Sequence, residues 1–190
     1  EGAIKEVSEL LDKLVKAVKT AEGASSGTAA IGEVVADADA AKVADKASVK
    51  GIAKGIKEIV EAAGGSEKLK AVAAAKGENN KGAGKLFGKA GAAAGDSEAA
   101  SKAAGAVSAV SGEQILSAIV KAAGAAAGDQ EGKKPGDAKN PIAAAIGDKD
   151  GGAEFNHEMK KDDQIAAAIA LRGMAKDGKF AVKDGEKEKA

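Results

Sequence analysis

Large apolar residues recur at three- and four-residue steps in three stretches of the chain, and each recurrence predicts one face of an α-helix. In the first stretch Ile4, Val7, Leu11, Leu14, Val15 and Val18 form a stripe, and Glu6, Glu9, Asp12, Lys13, Lys16 and Lys19 supply the polar sides. Glu9 and Lys13 stand in the favourable i,i+4 order, and Gly23 with Ser25-Ser26-Gly27 ends the element. In the second, Val49, Ile52, Ile56, Ile59 and Val60 make the buried face, with Ser48 as the predicted cap and Gly64-Gly65 as the stop. Gly51 and Gly55 each lower helix propensity by about 1 kcal/mol relative to Ala, and their spacing suits close packing of a second helix. In the third, Ile165, Ala168, Ile169, Arg172 and Ala175 keep helical spacing, with Leu171 and Met174 widening the contact surface. That helix is expected to start within 161–163, capped by Asp163, and to stop at Asp177-Gly178.

Between these stretches the pattern weakens. Residues 28–47 are compatible with a helix but have few large side chains. Ser66 starts a short helix with Leu69 and Val72 inward, and 77–82 is a connector. Leu86 and Phe87 anchor the next segment, which glycines at 82, 84, 88, 91 and 95 interrupt. Asp96 or Ser97 starts an Ala-rich helix. Ser111 and Gln114 have the spacing of a capping box ahead of Ile115, Leu116, Ile119 and Val120. The stretch 128–137 reads as a long exposed connector. Asn140-Pro141 reads as a helix start, because Pro at the first helical position needs no donor, and Ile142 and Ile146 follow one turn apart. A polar loop covers 147–152, and Phe180 and Val182 can fold back on the helices. The expected fold is all-α: an elongated irregular bundle of several short and medium helices joined by polar loops, over residues 1–184, with 185–190 as a frayed tail.

Composition narrows this picture. Of 190 residues 44% are hydrophobic, yet aromatics are 2%, namely three Phe with no Trp or Tyr. Much of the apolar content is Ala, which favours helices but fills a deep core poorly. Lys+Arg and Asp+Glu are both 29, so bulk charge does not favour nucleic acid. Lys133-Lys134 and Lys160-Lys161 are candidate polyanion contacts, although each pair lies near acidic residues and reads first as solvated surface. There is no Cys, which excludes disulfide, thiol and zinc-thiolate chemistry within these residues. No apolar run reaches the roughly 20 residues that span a bilayer, and no basic-then-apolar signal segment opens the chain. Any membrane anchor is expected outside these residues.

Candidate chemistry fails on spacing. His157 is the one histidine, and Lys161 stands where a zinc-protease helix needs its second. Asp148, Asp150 and Glu154 offer oxygen ligands, but Ala153 occupies the position where a calcium loop requires Gly. Gly82, Gly84 and Lys85 suggest a phosphate loop, but Phe87 replaces the third glycine and Ala90 follows Lys89 in place of Ser or Thr. The sequence therefore predicts no enzyme, no metal and no cofactor.

The closing segment carries more information. Met159-Lys160-Lys161-Asp162-Asp163-Gln164-Ile165-Ala166-Ala167-Ala168-Ile169-Ala170-Leu171-Arg172-Gly173-Met174-Ala175-Lys176-Asp177-Gly178-Lys179-Phe180-Ala181-Val182-Lys183 closely resembles the sixth invariant region of the variable major protein-like surface lipoproteins of Lyme disease spirochaetes. Glu1-Gly2-Ala3-Ile4-Lys5 resembles the start of the family's recombining cassette. The resemblance extends over essentially the whole chain. It implies a surface-exposed outer-membrane lipoprotein that varies its antigenic surface by gene conversion from silent cassettes. The partners it implies are host antibodies, with membrane association through a lipid on a mature N-terminal cysteine that these residues lack. It also implies variable loops around 24–47, 77–84, 91–98, 125–139 and 147–156. The segment 159–183 would be antigenic although largely buried in the native protein. Ile165, Ile169, Leu171 and Met174 are poor candidates for full exposure on their own account. The competing reading is an adhesion or host-ligand module that uses the four lysines. The sequence names no receptor and leaves homo-oligomerisation open.

Overall fold

The computed structural model describes residues 2–25, 32–36, 43–88, 95–148, 152–183 and 185–189. Among the described residues seven α-helices form the body: α1 (Gly2–Ser25), α2 (Lys46–Ala62), α3 (Ser66–Lys70), α4 (Ser97–Ser108), α5 (Gly112–Ala123), α6 (Pro141–Ile146) and α7 (Asp162–Met174). Tighter 3₁₀ turns lie at Lys81–Phe87, Ala127–Gln130, His157–Lys160 and Lys187–Lys189. The fold is an irregular all-α bundle. Two very short strands, β1 (Val34–Val35) and β2 (Phe180–Ala181), pair in parallel.

The helix starts follow capping chemistry. An unpaired N–H at a helix start is satisfied by a short polar side chain one position outside. Asp45, not Ser48, caps α2: its carboxylate accepts from the Ser48 N–H at 2.7 Å. The Ser48 hydroxyl instead donates to the Ala24 carbonyl and accepts from the Lys176 N–H, tying α2 to α1 and to the turn after α7. Asp96 caps α4, and Asn140 caps α6 with Pro141 at its first position. Ser111 and Gln114 make the full reciprocal capping box of α5 at 3.3 and 3.0 Å. Asp163 does not cap α7. The cap position is Lys161, without a side-chain bond, and the Asp163 carboxylate accepts from the adjacent Gln164 N–H.

An apolar stripe ordinarily faces a core, yet that of α1 does not. Ala17 is the buried residue of α1, whereas Ile4 is 77% exposed and Val7, Leu11, Val15 and Val18 are each more than half exposed. The inward side is instead the line of Leu14, Ala17, Ala21 and Ala24, set against α2. Gly51 and Gly55 allow this approach. A Cβ at Gly51 would lie 2.5 Å from that of Ala24, and one at Gly55 would lie 2.6 Å from that of Ala21.

Nor does the helix allowed over 28–47 run through its middle. Val34 and Val35 are extended and pair with Phe180 and Ala181, while 28–31 and 37–42 lie outside the described residues. Both valines are β-branched, which suits a strand. Gly95 extends the ladder by bridging to Val182. The connector 128–137 is held more closely than its polarity suggests. Gln130 donates to the carbonyls of Ala122 and Ala125 after α5, Lys133 N–H bonds to Ala143 of α6, and Pro135 is buried.

Among the described residues two apolar clusters make up the core, and α7 joins them. Ile165 and Ala168 face Leu86, Phe87, Phe155, Met159, Phe180 and Val182. Ala167 and Leu171 face Val49, Ile52, Ile119, Ile142 and Ile146. A helix apolar on nearly every side is a core helix. Here the small alanines let α2, α4, α5 and α6 pack around it.

Candidate functional site

The most distinctive place in the molecule is the terminal segment around α7. Between residues 159 and 183 only Lys176 and Asp177 are exposed; every other position is buried or half-buried. Within it Met159, Asp162, Asp163, Ile165, Leu171, Arg172 and Phe180 are buried. Lys160, Lys161, Gln164, Ile169, Met174, Lys179 and Lys183 are half-buried.

Arg172 organises the interior. It is 1% exposed, its Nε donates to the Lys179 carbonyl at 2.7 Å, and one terminal nitrogen donates to the carbonyls of Ala145 and Ile146 at 2.8 and 3.3 Å. Burial pushes its pKa down to about 10, so it remains charged at neutral pH. A buried charge is costly unless its donors are satisfied; backbone carbonyls do that here. The guanidinium carbon lies 5.7 Å from the centre of the Phe87 ring. Phe87 also meets Phe155 and Phe180 edge-on, at centroid distances of 5.1 and 5.5 Å. All three phenylalanines of the chain thus gather against α7. Asp177 takes a positive φ of 59° in the turn after the helix. A Cβ on Gly178 would lie 1.7 Å from the Arg172 carbonyl oxygen, so only glycine fits there.

The start of α7 is tied to distant chain. The Asp162 carboxylate accepts from Asn80 at 2.8 Å, and its N–H bonds to the Gly77 carbonyl. Asn80 gave no signal in the sequence beyond its place in a polar connector. Its pairing with a residue 82 positions away is a tertiary fact.

Two of the four candidate polyanion contacts are paired with carboxylates. Lys160 pairs with Glu78 at 3.3 Å and Lys161 with Glu158 at 2.5 Å. The Glu158 partner holds the Lys161 ammonium above its ordinary pKa. Lys133 is exposed and Lys134 half-buried, on the connector between α5 and α6. His157 is exposed in the 3₁₀ turn with a positive φ of 50°. Glu154 pairs with Lys81 at 2.9 Å, which lowers its carboxyl pKa. Asp150 lies outside the described residues. Among the described residues, no group of three or more His, Asp or Glu side chains is placed to hold a metal ion. Gly84 serves close packing: a Cβ there would meet the Ala153 carbonyl oxygen at 2.4 Å. No single described helix is long and apolar enough to cross a membrane.

These features define an α-helical scaffold that encloses one segment among its other helices and turns. The chain belongs to the Borrelia lipoprotein family, whose model matches residues 1–190. It is 38% identical over 186 residues to variable large protein 17 of Borrelia hermsii, covering 97% of this chain and 52% of that protein. Variable large protein 4 of the same organism is 38% identical over 185 residues, covering 95% and 52%. The chain thus spans about half the length of these curated relatives. Among solved structures, the Lyme disease variable surface antigen VlsE of Borrelia burgdorferi is 94% identical, with a TM-score of 0.96. That match covers all of this chain and 64% of that one.

Proposed function

We propose that this chain is the varying, antibody-facing portion of a spirochaete surface lipoprotein, which changes its exposed loops by cassette exchange over a constant interior. The observation that carries this reading is the contrast between 159–183 and its surroundings. The segment is enclosed except at Lys176 and Asp177, whereas Glu78, Asn79, 126–129, Lys133, Asp137, Ala153, Glu154, Asn156 and His157 are exposed on connectors. Substitutions at exposed sites typically change stability by no more than about 0.5 kcal/mol. Such loops can therefore vary without unfolding what lies beneath. The partners are host antibodies, the location is the outer surface of the outer membrane, and the lipid anchor belongs to chain beyond these residues. We assign it no catalytic and no nucleic-acid-binding role.

The reading is supported by the family match and by the variable surface antigen among its structural relatives. The adhesion reading has less support, because Lys160 and Lys161 are already paired with carboxylates. The test is to replace the exposed positions Glu78, Asn79, 126–129, Lys133, Asp137, Ala153, Glu154, Asn156 and His157 with the residues of another family member in the full-length protein. Antisera raised against the parent should bind the swapped proteins more weakly, while helicity and Tm stay near the parent values. Unchanged antibody recognition across all swaps would refute display by these loops.

A further inference from the structure

Asp-Gly steps occur in the chain at 150–151, 177–178 and 184–185, and the middle one lies in the turn after α7. At such a step the aspartyl side chain meets the next backbone nitrogen readily, because glycine places no Cβ beside that nitrogen. Asp177 is exposed, next to Lys176, where the rest of 159–183 is buried or half-buried. Its φ of 59° lies in the left-handed region, which Asp tolerates and most residues avoid. The Gly178 N–H donates to the Ala175 carbonyl at 3.0 Å, and the Asp177 carbonyl accepts from the Lys179 N–H at 2.9 Å. Lys179 in turn supplies the carbonyl that accepts from Arg172 Nε at 2.7 Å. A reactive dipeptide thus stands next to an acceptor of the buried guanidinium.

We infer that Asp177 is a site of covalent modification, where a succinimide forms and hydrolyses to isoaspartate, and that isoaspartate there keeps the turn after α7 from closing again. The Gly178 nitrogen attacks Cγ of Asp177. A C–N bond forms, and the carboxyl OH and the nitrogen's proton leave together as water. Water then adds to the ring at the former backbone carbonyl and breaks its bond to nitrogen. The chain now runs through Cβ and Cγ, the old backbone carbonyl is a free carboxylate, and the mass is unchanged. The native turn resists the first step, because the Gly178 N–H is committed to Ala175 and ring closure rotates the peptide plane away from it. The reaction therefore follows local opening.

The product does not refit. It places one more methylene, about 1.5 Å of chain, between the Asp177 Cα and Gly178. The turn has no slack for it: even a Cβ on Gly178 would lie 1.7 Å from the Arg172 carbonyl oxygen and 2.9 Å from that of Ala175. The Lys179 N–H also loses its acceptor, since the Asp177 carbonyl has left the main chain. Displacing Lys179 draws its carbonyl away from Arg172, and a buried charge is costly when an acceptor is withdrawn. This chemistry depends only on the turn, whether or not the chain is displayed to antibodies.

The experiment ages the full-length protein at neutral pH, native and in guanidinium, and locates isoaspartate by peptide mapping with electron-based fragmentation. It should accumulate at 177 in the native protein at least about tenfold more slowly than in the denatured one, as a reaction that waits on opening does. Asp177→Glu, which closes no five-membered ring, should stay unmodified there. Asp177→Asn, which also accepts a positive φ, should convert faster, with loss of ammonia, and supply isoaspartyl protein for isolation. In that protein the Gly178 and Lys179 amides should exchange hydrogen at least about tenfold faster than in the parent, and Tm should be lower. Equal rates in native and denatured protein would overturn the gating by the turn. Absence of isoaspartate at 177 in the native protein once the denatured one has converted would overturn the site. Parent-like exchange and Tm in the isoaspartyl protein would overturn its effect on closure.

Discussion

Phe87 lies outside 159–183 yet packs on Phe155, Phe180 and the Arg172 guanidinium, so Phe87→Ala disturbs the cover of the segment without altering the segment itself. The ring is 1% exposed. Phe→Ala at a fully buried site costs about 3–5 kcal/mol in transfer and cavity terms. For a chain of this size each kcal/mol lowers Tm by about 2–4 °C, so the expected fall is roughly 6–20 °C. The same loss raises the population of open states. A change of about 1.4 kcal/mol is a factor of about ten, so 3 kcal/mol opens the segment about a hundredfold more often. The assay is thermal unfolding by circular dichroism, together with the association rate of an antibody raised against the 159–183 peptide. The rate should rise by about that factor if binding follows opening. Phe87→Leu, costing about 1–2 kcal/mol, should give a smaller change in both. A Tm fall below about 3 °C would refute the packing argument. A full Tm fall with an unchanged antibody rate would refute concealment as the barrier to binding.

Other expectations follow from the same contacts. Gly55→Leu should pry α1 from α2, because even a Cβ there meets the Ala21 backbone at 2.8 Å. Overpacking of about 1–3 kcal/mol exceeds the roughly 1 kcal/mol gained in helix propensity, so Tm should fall; a rise would contradict the close approach. Asp45→Ala should cost about 1 kcal/mol by removing the α2 cap, measurable by urea unfolding, whereas an equal loss from uncapping at Ser48 is not expected. The Asp96 carboxyl is held below its ordinary 3.8, first by the Ala99 N–H and then by Lys183. Its contribution is therefore full above that ordinary value and lost as pH falls through the lower folded one. Asp96→Asn, which still caps, should flatten the fall of Tm on acidification. An identical pH profile in both proteins would contradict this.

Much of the fold was legible because it is local. The capping box at Ser111 and Gln114, the Asn140-Pro141 start and the glycine stop after α2 are all set within a few residues of chain. What was not legible depends on distant partners. Ser48 looked like a cap, but its hydroxyl joins Ala24 to the Lys176 N–H, and Asp45 takes the cap. Val34 and Val35 become a strand only because Phe180 and Ala181 return beside them. The direction of α1 was hidden for a different reason. Periodicity marks an apolar face but does not say which of two adjoining faces meets the neighbour, and here the alanine line does. Around α7 the sequence indicated a helix poor in exposed positions. It did not indicate that Arg172 would be buried as well, since three carbonyls from two other segments supply its acceptors. The lysine pairs looked equivalent in sequence, and only tertiary structure places Glu78 beside Lys160.

Concealment of 159–183 is tested most directly by one comparison, made with an antibody raised against that segment. Its affinity is measured for the intact full-length protein under native conditions and for the same protein after irreversible denaturation. With only Lys176 and Asp177 exposed in the segment, native binding should be weaker by at least about tenfold, the effect of a 1.4 kcal/mol opening cost. Equal affinity for both forms would contradict the account.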